Sequence, residues 1–521
     1  MTDEIELKLR LPEMIAGKRA SFTPAKIAAA FGIQADAKPK RQHLVSTYFD
    51  TDDEWLRQHG MALRIRQAGK LRIQTLKAPA GEVAGAQSYL ELEASITADQ
   101  PDLTLIDDPD LLQRLAAAGV AERLRPTFTT DFQRNAWLID FDSSSIELAF
   151  DRGRIICGGQ EAPINELELE LKSGRPAALF ALADTVLDRI PFQLGHETKA
   201  ARGYQLKTGQ QTKPVKASAV ELPGDCDVGE TFTRILAQYL SLLRQNELAV
   251  VRNEDPEGIH QFRVTLRRLR SVVRAYRDLM DEVVYRHLAA ELRWLQSQLG
   301  PARDLDVFIS ETLEPIRRRF QNLPVLVRLI DVAGARCRTA RHQAHLTLEQ
   351  PRYTRLQLSI YRWLATQSWR RQSATASLAG SATDFANRLM KKQHKKLRRL
   401  GDQKEIPEAE LHELRVAGKK MRYLGEAFRS LYKEKPFRKY HQRLAGLQDC
   451  LGALNDAFVG DRLMVDLIVQ LSEIDGVSAT DIAYLRGLVT GWQANRINVG
   501  LDRFDAQWNA FRKADTFWKQ G

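Results

Sequence analysis

The segment Glu-Ile-Glu-Leu-Lys-Leu-Arg, residues 4–10, alternates charged and apolar side chains along its length. Successive side chains of a β-strand point to opposite faces, so Glu4, Glu6 and Lys8 would share one face. Ile5, Leu7 and Leu9 would then share the other face. The alternation therefore predicts a strand with one charged face and one apolar face.

The same alternation recurs through the first 205 residues, between turn-forming residues. Six further segments carry it: Ala62–Arg66, Leu71–Lys77, Tyr89–Ile96, Arg134–Asp140, Ser145–Phe150 and Glu166–Lys172. Helical stretches are predicted near Pro24–Phe31, Pro109–Ala118 and Ala177–Arg189. This pattern predicts an antiparallel sheet with a few helices.

The charged faces of these strands have two interpretations. A single half-buried strand most often turns its polar face to solvent. Here, however, several strands carry paired charges of one sign, some acidic and some basic. If the sheet closed into a barrel with these faces inward, carboxylates and guanidinium groups would share its interior. Divalent cations and phosphate oxygens are the partners that such a mixture of buried charges needs.

From about residue 230 the pattern becomes helical and contains a duplication. The segment His260–Arg270 matches His412–Arg422 at an offset of 152 residues, and Leu295–Gly300 matches Leu447–Gly452 at the same offset. Asp304 matches Asp456 in the same way. One offset shared by three blocks predicts a duplicated helical unit.

Cationic stripes follow the predicted helices of this half. They comprise His260, Arg263, Arg267, Arg270 and Arg274; His412, Arg415, Lys419 and Arg422; and Arg388, Lys391, Lys395 and Arg398. Most such stripes are solvated helix faces, but acidic partners at i±4 are scarce here, so the cations repel one another. The stripes carry few aromatic residues for base stacking, which favours a polyanion recognised only through its charged backbone over nucleic acid.

The net charge divides along the chain in the same way. Residues 1–210 hold 26 lysines and arginines against 30 aspartates and glutamates, whereas the rest of the 521 residues holds 51 against 36. A strongly basic half should attract a polyanion. The four cysteines are far apart, and no segment has the apolar length of a signal peptide or membrane span, so we expect a cytoplasmic protein.

The ordered charges of the first half resemble the CYTH superfamily, the triphosphate tunnel metalloenzymes. The resemblance rests on an ExExK motif, a basic RxR strand, a strand lysine, an acidic ExE strand, an arginine, an aspartate, a late ExE pair and a closing lysine. In chain order these are Glu4, Glu6, Lys8, Arg64, Arg66, Lys77, Glu91, Glu93, Arg134, Asp151, Glu168, Glu170 and Lys199. The segment from Lys199 to Tyr204 also resembles the closing motif of that family.

This resemblance implies an eight-stranded antiparallel tunnel that binds a triphosphate lengthwise. By analogy Mg²⁺ or Mn²⁺ would be held by acidic residues: Glu4, Glu6, Glu168 and Glu170, supported by Asp151, Glu91 and Glu93. Phosphate oxygens would be bound by Lys8, Arg64, Arg66, Lys77, Arg134 and Lys199. Glu166 stays open between a third ligand and a residue at the barrel mouth, and Asp140, Asp142 and Glu147 are alternatives to Asp151.

The second half resembles the CHAD family of duplicated helical bundles. Its pattern H-x-x-R-V-x-x-[RK]-[RK]-x-R occurs at His260 and again at His412. The resemblance implies binding of inorganic polyphosphate and no catalysis. The expected organisation is therefore an α+β chain with a tunnel domain at 1–206, a linker at 207–229 and an all-α domain at 230–515, with repeats at about 230–380 and 381–515.

The function that follows is metal-dependent hydrolysis of inorganic triphosphate to pyrophosphate and phosphate, combined with polyphosphate binding. Two alternatives use the same tunnel, namely thiamine triphosphate or ATP hydrolysis and class IV adenylate cyclase activity. A third is a non-catalytic polyphosphate-binding scaffold. A fourth, weaker alternative is an RNA-binding protein, because the sequence pI is about 9.4. The sequence leaves the oligomeric state open.

Overall fold

The computed structural model describes residues 4–15, 18–34, 36–69, 71–83, 86–195, 197–209, 213–252, 255–403 and 406–519. The chain forms two compact units. The first comprises Met1–Gln211 with Glu349–Gln367, and the second comprises Thr212–Leu348 with Ser368–Gly521.

The strands of the chain lie in its first part. They are β1 Glu4–Arg10, β2 Met14–Ile15, β3 Lys18–Arg19, β4 Lys40–Asp50, β5 Ala62–Ala68, β6 Leu71–Val83, β7 Ala86–Ser95, β8 Arg125–Phe141, β9 Ser144–Cys157, β10 Gln160–Ser173 and β11 Gln193–Leu194. The helices between them are α1 Pro24–Ala30, α2 Trp55–Gln58, α3 Pro109–Ala117, α4 Val120–Arg123, α5 Ala177–Val186 and α6 Lys199–Thr208.

Eight of these strands form a closed antiparallel barrel. The pairing order is β10-β9-β8-β4-β5-β6-β7-β1, and β1 pairs again with β10. The short strand β11 adds to β1, while β2 and β3 pair only with each other. The predicted eight-stranded tunnel is therefore confirmed.

The cross-strand register decides which face of the barrel is interior. Leu63 and Ile65 of β5 pack with Leu111 and Leu115 of α3, so the apolar face lies outside under helices. Residues opposite one another on paired strands share a face. Lys8 lies opposite Glu168, and Arg134 lies opposite Asp151, so the charged face is the inner one.

Helix α6 is seated against the barrel by specific contacts. The hydroxyl of Tyr204 donates to Asp50 Oδ2 at 2.6 Å, and Asp50 also accepts the backbone N–H of Leu56 at 2.8 Å. Gly203 allows close approach, because a Cβ there would lie 2.2 Å from the ring of Phe128. Thr198 caps the helix by accepting the N–H of Ala201 at 3.0 Å.

The helix α13, Pro351–Thr366, belongs to the first unit although it is distant from the barrel in sequence. The rings of Tyr361 and Phe180 of α5 stack with centroids 5.5 Å apart. Arg355 lies 3.1 Å from Asp184, and Thr354 donates to the carbonyl of Phe192 at 3.1 Å. This helix thus covers the apolar helix α5.

The second unit consists of helices. They are α7 Val228–Arg252, α8 Pro256–Ala275, α9 Glu282–Gln298, α10 Gly300–Phe308, α11 Glu314–Arg319, α12 Pro324–Glu349, α14 Thr375–Leu378, α15 Ala382–Gly401, α16 Glu408–Ala427, α17 Glu434–Ser472 and α18 Ala479–Arg512. A π-helical turn, Ile309–Leu313, joins α10 to α11. The predicted all-α architecture is confirmed.

The duplication is visible in the helix bounds. Helices α8 and α16 begin and end at residues that are 152 positions apart. One difference between the repeats has a simple cause. Pro301 stands where the second repeat has Ala453, and proline removes an N–H and clashes with the preceding turn. The first repeat is therefore divided into α9 and α10, whereas α17 continues without a break.

The two basic helices α8 and α16 each bury an apolar face. Phe262, Leu266 and Leu269 of α8 are fully buried, as are Leu414 and Met421 of α16. No helix among the described residues is long and apolar enough to cross a membrane.

Candidate functional site

Three carboxylates lie together inside the barrel. Asp151 of β9 lies opposite Glu166 of β10 in the strand register, and Glu168 follows two residues later on the same face. One oxygen from each of the three lies within 4.8 Å of the others, and Asp151 is fully buried. Oxygen ligands at this spacing suit a hard divalent cation.

Cations surround this acidic cluster. Lys199 Nζ lies 2.7 Å from Asp151, 2.6 Å from Glu166 and 2.9 Å from Glu168. Lys8 Nζ lies 2.8 Å from both Glu168 and Glu6. A lysine in the first turn of a helix, as in α6, is opposed by the helix dipole, so the carboxylates are what stabilise Lys199 there.

Arg134 completes the cluster with a two-point contact. Its Nε and Nη2 donate to the two oxygens of Asp151 at 2.8 Å and 2.7 Å, and Nη2 also donates to Glu168. Such fork contacts hold a guanidinium in one orientation. The buried network therefore has a fixed geometry.

The charges in this network stabilise one another against burial. Burial acts to raise the pKa of Glu168, but Lys199, Lys8 and Arg134 hold that pKa well below its usual range. Burial likewise acts to lower the pKa of Lys8 and of Arg134, and the carboxylates raise both well above their usual values. Glu168, Lys8 and Arg134 are therefore charged at neutral pH.

A second group of charges lies on β5, β6 and β7. Lys77 pairs with Glu91, and Arg64 Nη2 lies 3.9 Å from the same carboxylate. The Nε atoms of Arg64 and Arg66 are buried and have no hydrogen-bond partner among the described residues. Burial, Arg64 and Arg134 lower the pKa of Arg66 to about 10. These spare donors suit phosphate oxygens.

The two groups face each other across the interior. Arg66 lies on β5 and Glu168 on β10, with three strands between them along the wall. The charges of Arg134 and Glu168 nevertheless act on the pKa of Arg66. The interior therefore presents an acidic cluster on one side and a group of arginines on the other.

Three inward-facing hydroxyl groups were missed by the sequence analysis. Ser46 lies opposite Thr130 and opposite Arg66, and both hydroxyl oxygens are buried without a hydrogen-bond partner among the described residues. Tyr48 lies opposite Arg64. Burial acts to raise the pKa of Tyr48, but Arg64 and Arg66 lower it. Alternation could have found Thr130, which lies four residues before Arg134 on the same strand, whereas Ser46 and Tyr48 lie on β4, which carries none of the predicted site residues.

The remaining predicted ligands occupy different places. The side chain of Glu4 lies outside the part of the chain that the structure describes. Glu170 is half-buried and lies 2.5 Å from Lys172, and Glu93 is exposed and accepts from Thr75 at 3.0 Å. Glu166, which the sequence left open, lies in the acidic cluster.

In the second unit the two duplicated basic helices α8 and α16 pack together, so their stripes share one region. Arg263 is 8% exposed and donates to the carbonyl of Gln296 at 3.3 Å. The Nε atoms of Arg263, Arg267 and Arg415 are buried and have no hydrogen-bond partner among the described residues. Gly300 leaves room here, because a Cβ would lie 3.3 Å from the Arg263 guanidinium.

Burial and mutual repulsion both disfavour the charged forms of these cations. Burial, Arg415 and Arg267 lower the pKa of Lys419 to about 7. Burial, Arg267 and Arg303 lower the pKa of Arg263 to about 10, although Asp304 opposes them. The site therefore holds positive charge that the protein only partly compensates.

Asp304 and Asp456, the third matched pair of the duplication, also lie in this region. Burial raises the pKa of Asp304, and the charge of Asp456 acts in the same direction. Arg263 and Arg415 oppose this effect. The two aspartates, on α10 and α17, therefore lie within electrostatic reach of each other and of Arg263 and Arg415.

The other predicted cations are more peripheral. His260 is half-buried, and burial with the charge of Arg303 lowers its pKa to about 4, whereas His412 is exposed. The third stripe consists of the exposed Arg388, Lys391 and Lys395 together with Arg398. Arg398 donates to Asp402 at 3.0 Å, so its charge is compensated within its helix.

Comparison with known proteins gives the same division of the chain. The CYTH domain family matches residues 3–204, and the CHAD domain family matches residues 234–464. A protein of Haemophilus influenzae named inorganic triphosphatase is 35% identical over 211 residues, which are 40% of this chain and 56% of the relative. This chain thus spans little more than half of that protein.

Two further likenesses cover other parts of the chain. An uncharacterized protein of Mycobacterium tuberculosis is 26% identical over 426 residues, which are 78% of this chain and 80% of that protein. The crystal structure of the CHAD domain from the plant Ricinus communis is 32% identical, with a TM-score of 0.50. That likeness covers 57% of this chain and 97% of the plant domain.

Proposed function

Because the chain joins a CYTH domain to a CHAD domain, we propose that it hydrolyses inorganic triphosphate in its barrel and binds inorganic polyphosphate through its helical unit. The observation that carries the first part is the barrel interior. Three buried carboxylates lie on one side, and arginines with unused donors lie on the other. A relative named inorganic triphosphatase matches this same part of the chain.

The reaction is hydrolysis of a phosphoanhydride bond. A water molecule attacks the terminal phosphorus, and the bond from that phosphorus to the bridging oxygen breaks. The electron pair stays on the pyrophosphate that leaves, and the water proton is released with phosphate. Charge spreads over the phosphoryl oxygens during this step, so catalysis needs positioned cations more than covalent chemistry.

The side chains divide this work. Arg64, Arg66 and Lys77 bind oxygens along the triphosphate, because two of them have buried donors without a partner. Arg134 and Lys199 are held by Asp151 and act from the acidic side. The fixed network means that little reorganisation is needed when charge develops, which is the main source of electrostatic catalysis.

The donor set fits a divalent cation. Asp151, Glu166 and Glu168 provide three oxygens within 4.8 Å of one another, and Glu6 lies next to them across Lys8. Mg²⁺ or Mn²⁺ held there would neutralise phosphate oxygens and supply a positioned water.

Inorganic triphosphate is preferred over thiamine triphosphate and ATP for a simple reason. Most of the inward-facing residues described above are charged, and the ring of Tyr48 among them already stacks on Phe128 with centroids 4.6 Å apart. Hydrolysis rates with the three substrates separate these cases. A clear preference for an organic triphosphate would contradict inorganic triphosphate as the main substrate.

The test of catalysis compares two glutamates of one strand. Glu168 points into the barrel, whereas Glu161 of β10 is exposed and pairs with Arg154 at 2.9 Å. We expect Glu168→Gln to lower metal-dependent phosphate release from triphosphate by ~10²-fold or more, and Glu161→Gln to have little effect. The measurement is phosphate release with Mg²⁺ and with Mn²⁺, alongside thermal unfolding of each variant.

The outcomes separate enzyme from scaffold. Loss of turnover in a folded Glu168→Gln protein supports the barrel as the active site, and the double variant Glu4→Ala/Glu6→Ala should behave alike. If the folded wild-type protein releases no phosphate with either metal, the chain is a non-catalytic polyphosphate-binding protein.

Polyphosphate binding by the helical unit is supported by the packing of α8 against α16. Their stripes bring Arg263, Arg267 and Arg415, each with a buried Nε donor, close to Lys419, whose pKa is lowered to about 7 by burial, Arg415 and Arg267. The stripes carry few aromatic side chains for base stacking, and the nearby Tyr276 and Tyr423 are buried. Competition between polyphosphate and RNA at several salt concentrations tests this choice, because both ligands bind with a salt-sensitive component.

A further inference from the structure

The two repeats of the helical unit differ in charge at one matched contact. Arg268 of α8 lies 2.8 Å from Glu426 of α16, and Glu426 also accepts from Arg422 at 3.0 Å. In a two-fold arrangement, residue i meets residue j and the mate of j meets the mate of i. The offset of 152 therefore pairs Lys420 of α16 with Arg274 of α8.

The two matched contacts therefore differ in the sign of one side chain, which is acidic at the first contact and basic at the second. At the first contact a carboxylate lies between two arginines, and we call Arg268, Arg422 and Glu426 the acid-paired flank. At the second contact lysine meets arginine, and the neighbours add further positive charge. We call Arg270, Arg274, Arg293, Lys420, Lys392 and Lys396 the basic flank.

Several observations place the members of the basic flank together. Burial and the charges of Arg274, Lys396 and Lys392 lower the pKa of Lys420 to about 8. Burial and the charges of Arg293 and Arg274 likewise lower the pKa of Arg270. Where the first repeat has Arg293, the second has Ala445. No ion pair is found for Arg274, Lys392, Lys396 or Lys420 among the described residues.

We propose that a polyanionic chain bound between α8 and α16 leaves this centre on one side only, along the basic flank. This inference rests on the proposed polyphosphate binding and adds a direction to it. The stripe Arg263, Arg267, Arg270 and Arg274 leads from the buried centre to the exposed flank. On the other side Glu426 repels phosphate and already uses the arginines beside it. A duplicated fold thereby becomes a one-ended binding surface.

Reciprocal exchange of one matched pair provides the experiment. Arg274→Glu gives the basic flank the carboxylate of the other repeat, and Glu426→Arg gives the acid-paired flank the cation. The affinity of the full chain for long-chain inorganic polyphosphate is measured by titration at several salt concentrations. We expect Arg274→Glu to weaken binding about tenfold, whereas Glu426→Arg should leave it unchanged or strengthen it. Each lost phosphate contact should also lower the slope of log K against log salt by about 0.7.

Two more variants keep the test decisive. Lys392 and Lys396 are exposed, so Lys392→Ala/Lys396→Ala should fold even if Arg274→Glu does not, and it should weaken binding. Arg438→Ala serves as the control, because Arg438 lines a cavity of about 660 Å³ beside the acid-paired flank. If Arg438→Ala lost as much affinity for polyphosphate as the basic-flank variants, the proposed direction would be wrong.

Polyphosphate binding by the wild-type chain separates an error in the proposed direction from an error in the proposed function. If the wild-type chain binds polyphosphate and the basic-flank variants bind equally well, the direction is wrong and the binding function stands. If the wild-type chain binds no polyphosphate at low salt, the function proposed for the helical unit is wrong, and the direction is wrong with it.

Discussion

At the scale of single residues, one lysine pairs with all three carboxylates of the acidic cluster in the barrel. Lys199 contacts Asp151, Glu166 and Glu168 within 2.9 Å, and it reaches them from a helix instead of from the sheet. Strand alternation could predict that the two glutamates share a face. It could not predict that a lysine 31 residues later would lie between them, because that contact depends on how α6 packs.

Removal of this lysine tests whether the carboxylates form a metal site. We expect Lys199→Met to destabilise the protein by about 3–5 kcal/mol, because three buried carboxylates lose their shared cation. A divalent cation should recover much of this loss, since a ligand at 100 times its Kd contributes about 2.7 kcal/mol. The free energy of unfolding is measured with and without Mg²⁺ or Mn²⁺.

A lysine of the same helix provides the comparison. Lys207 lies 3.4 Å from Glu54 near the surface, so Lys207→Met should cost less than about 1 kcal/mol. Its metal response should equal that of the wild type. The metal site would be rejected if added metal stabilised Lys199→Met no more than it stabilises Lys207→Met.

At the scale of elements, strands were easier to predict than their closure. The period of two along β1, β5 and β10 is a local property, so the sequence is enough to detect it. Whether the charged face lies inside depends on the pairing of β1 with β10, which are about 160 residues apart. The break between α9 and α10 also has a local cause, because it lies at Pro301.

The position of α6 depends on a glycine that alternation does not explain. A Cβ at Gly203 would lie 2.2 Å from the Phe128 ring, so Gly203→Ala must push the helix away from the barrel. Because Lys199 lies one turn earlier on this helix, we expect a loss of both stability, by about 1–3 kcal/mol, and triphosphatase activity. Thermal unfolding and phosphate release measure the two effects.

A second helical glycine separates steric from conformational effects. Nothing lies within 4 Å of a Cβ built at Gly487 of α18, so Gly487→Ala should stabilise the protein by up to about 1 kcal/mol through helix propensity. Equal stability changes of the same sign in both variants would rule out the packing explanation for Gly203.

At the scale of the whole molecule, the separation of charge was visible in the sequence, but the membership of one helix was not. The predicted domain boundary at residue 206 follows composition and stays a prediction. The first unit includes Glu349–Gln367, whose sequence resembles that of the surrounding helices. Its assignment depends on tertiary contacts with α5, which leave no periodic signal along the chain.

The last prediction tests whether the barrel needs this distant helix. Tyr361 is 2% exposed and stacks on Phe180, so Tyr361→Ala in the full chain should destabilise the first unit by about 3–5 kcal/mol. A fragment that ends at residue 211 lacks all of α13 and should show faster amide exchange in β1 and β10 than the full chain. Hydrogen exchange read by mass spectrometry measures both, with Tyr484→Ala, an exposed tyrosine of α18, as the control. Equal protection of the barrel strands in the fragment and the full chain would mean that the barrel folds without this helix and that a boundary near residue 206 is sufficient.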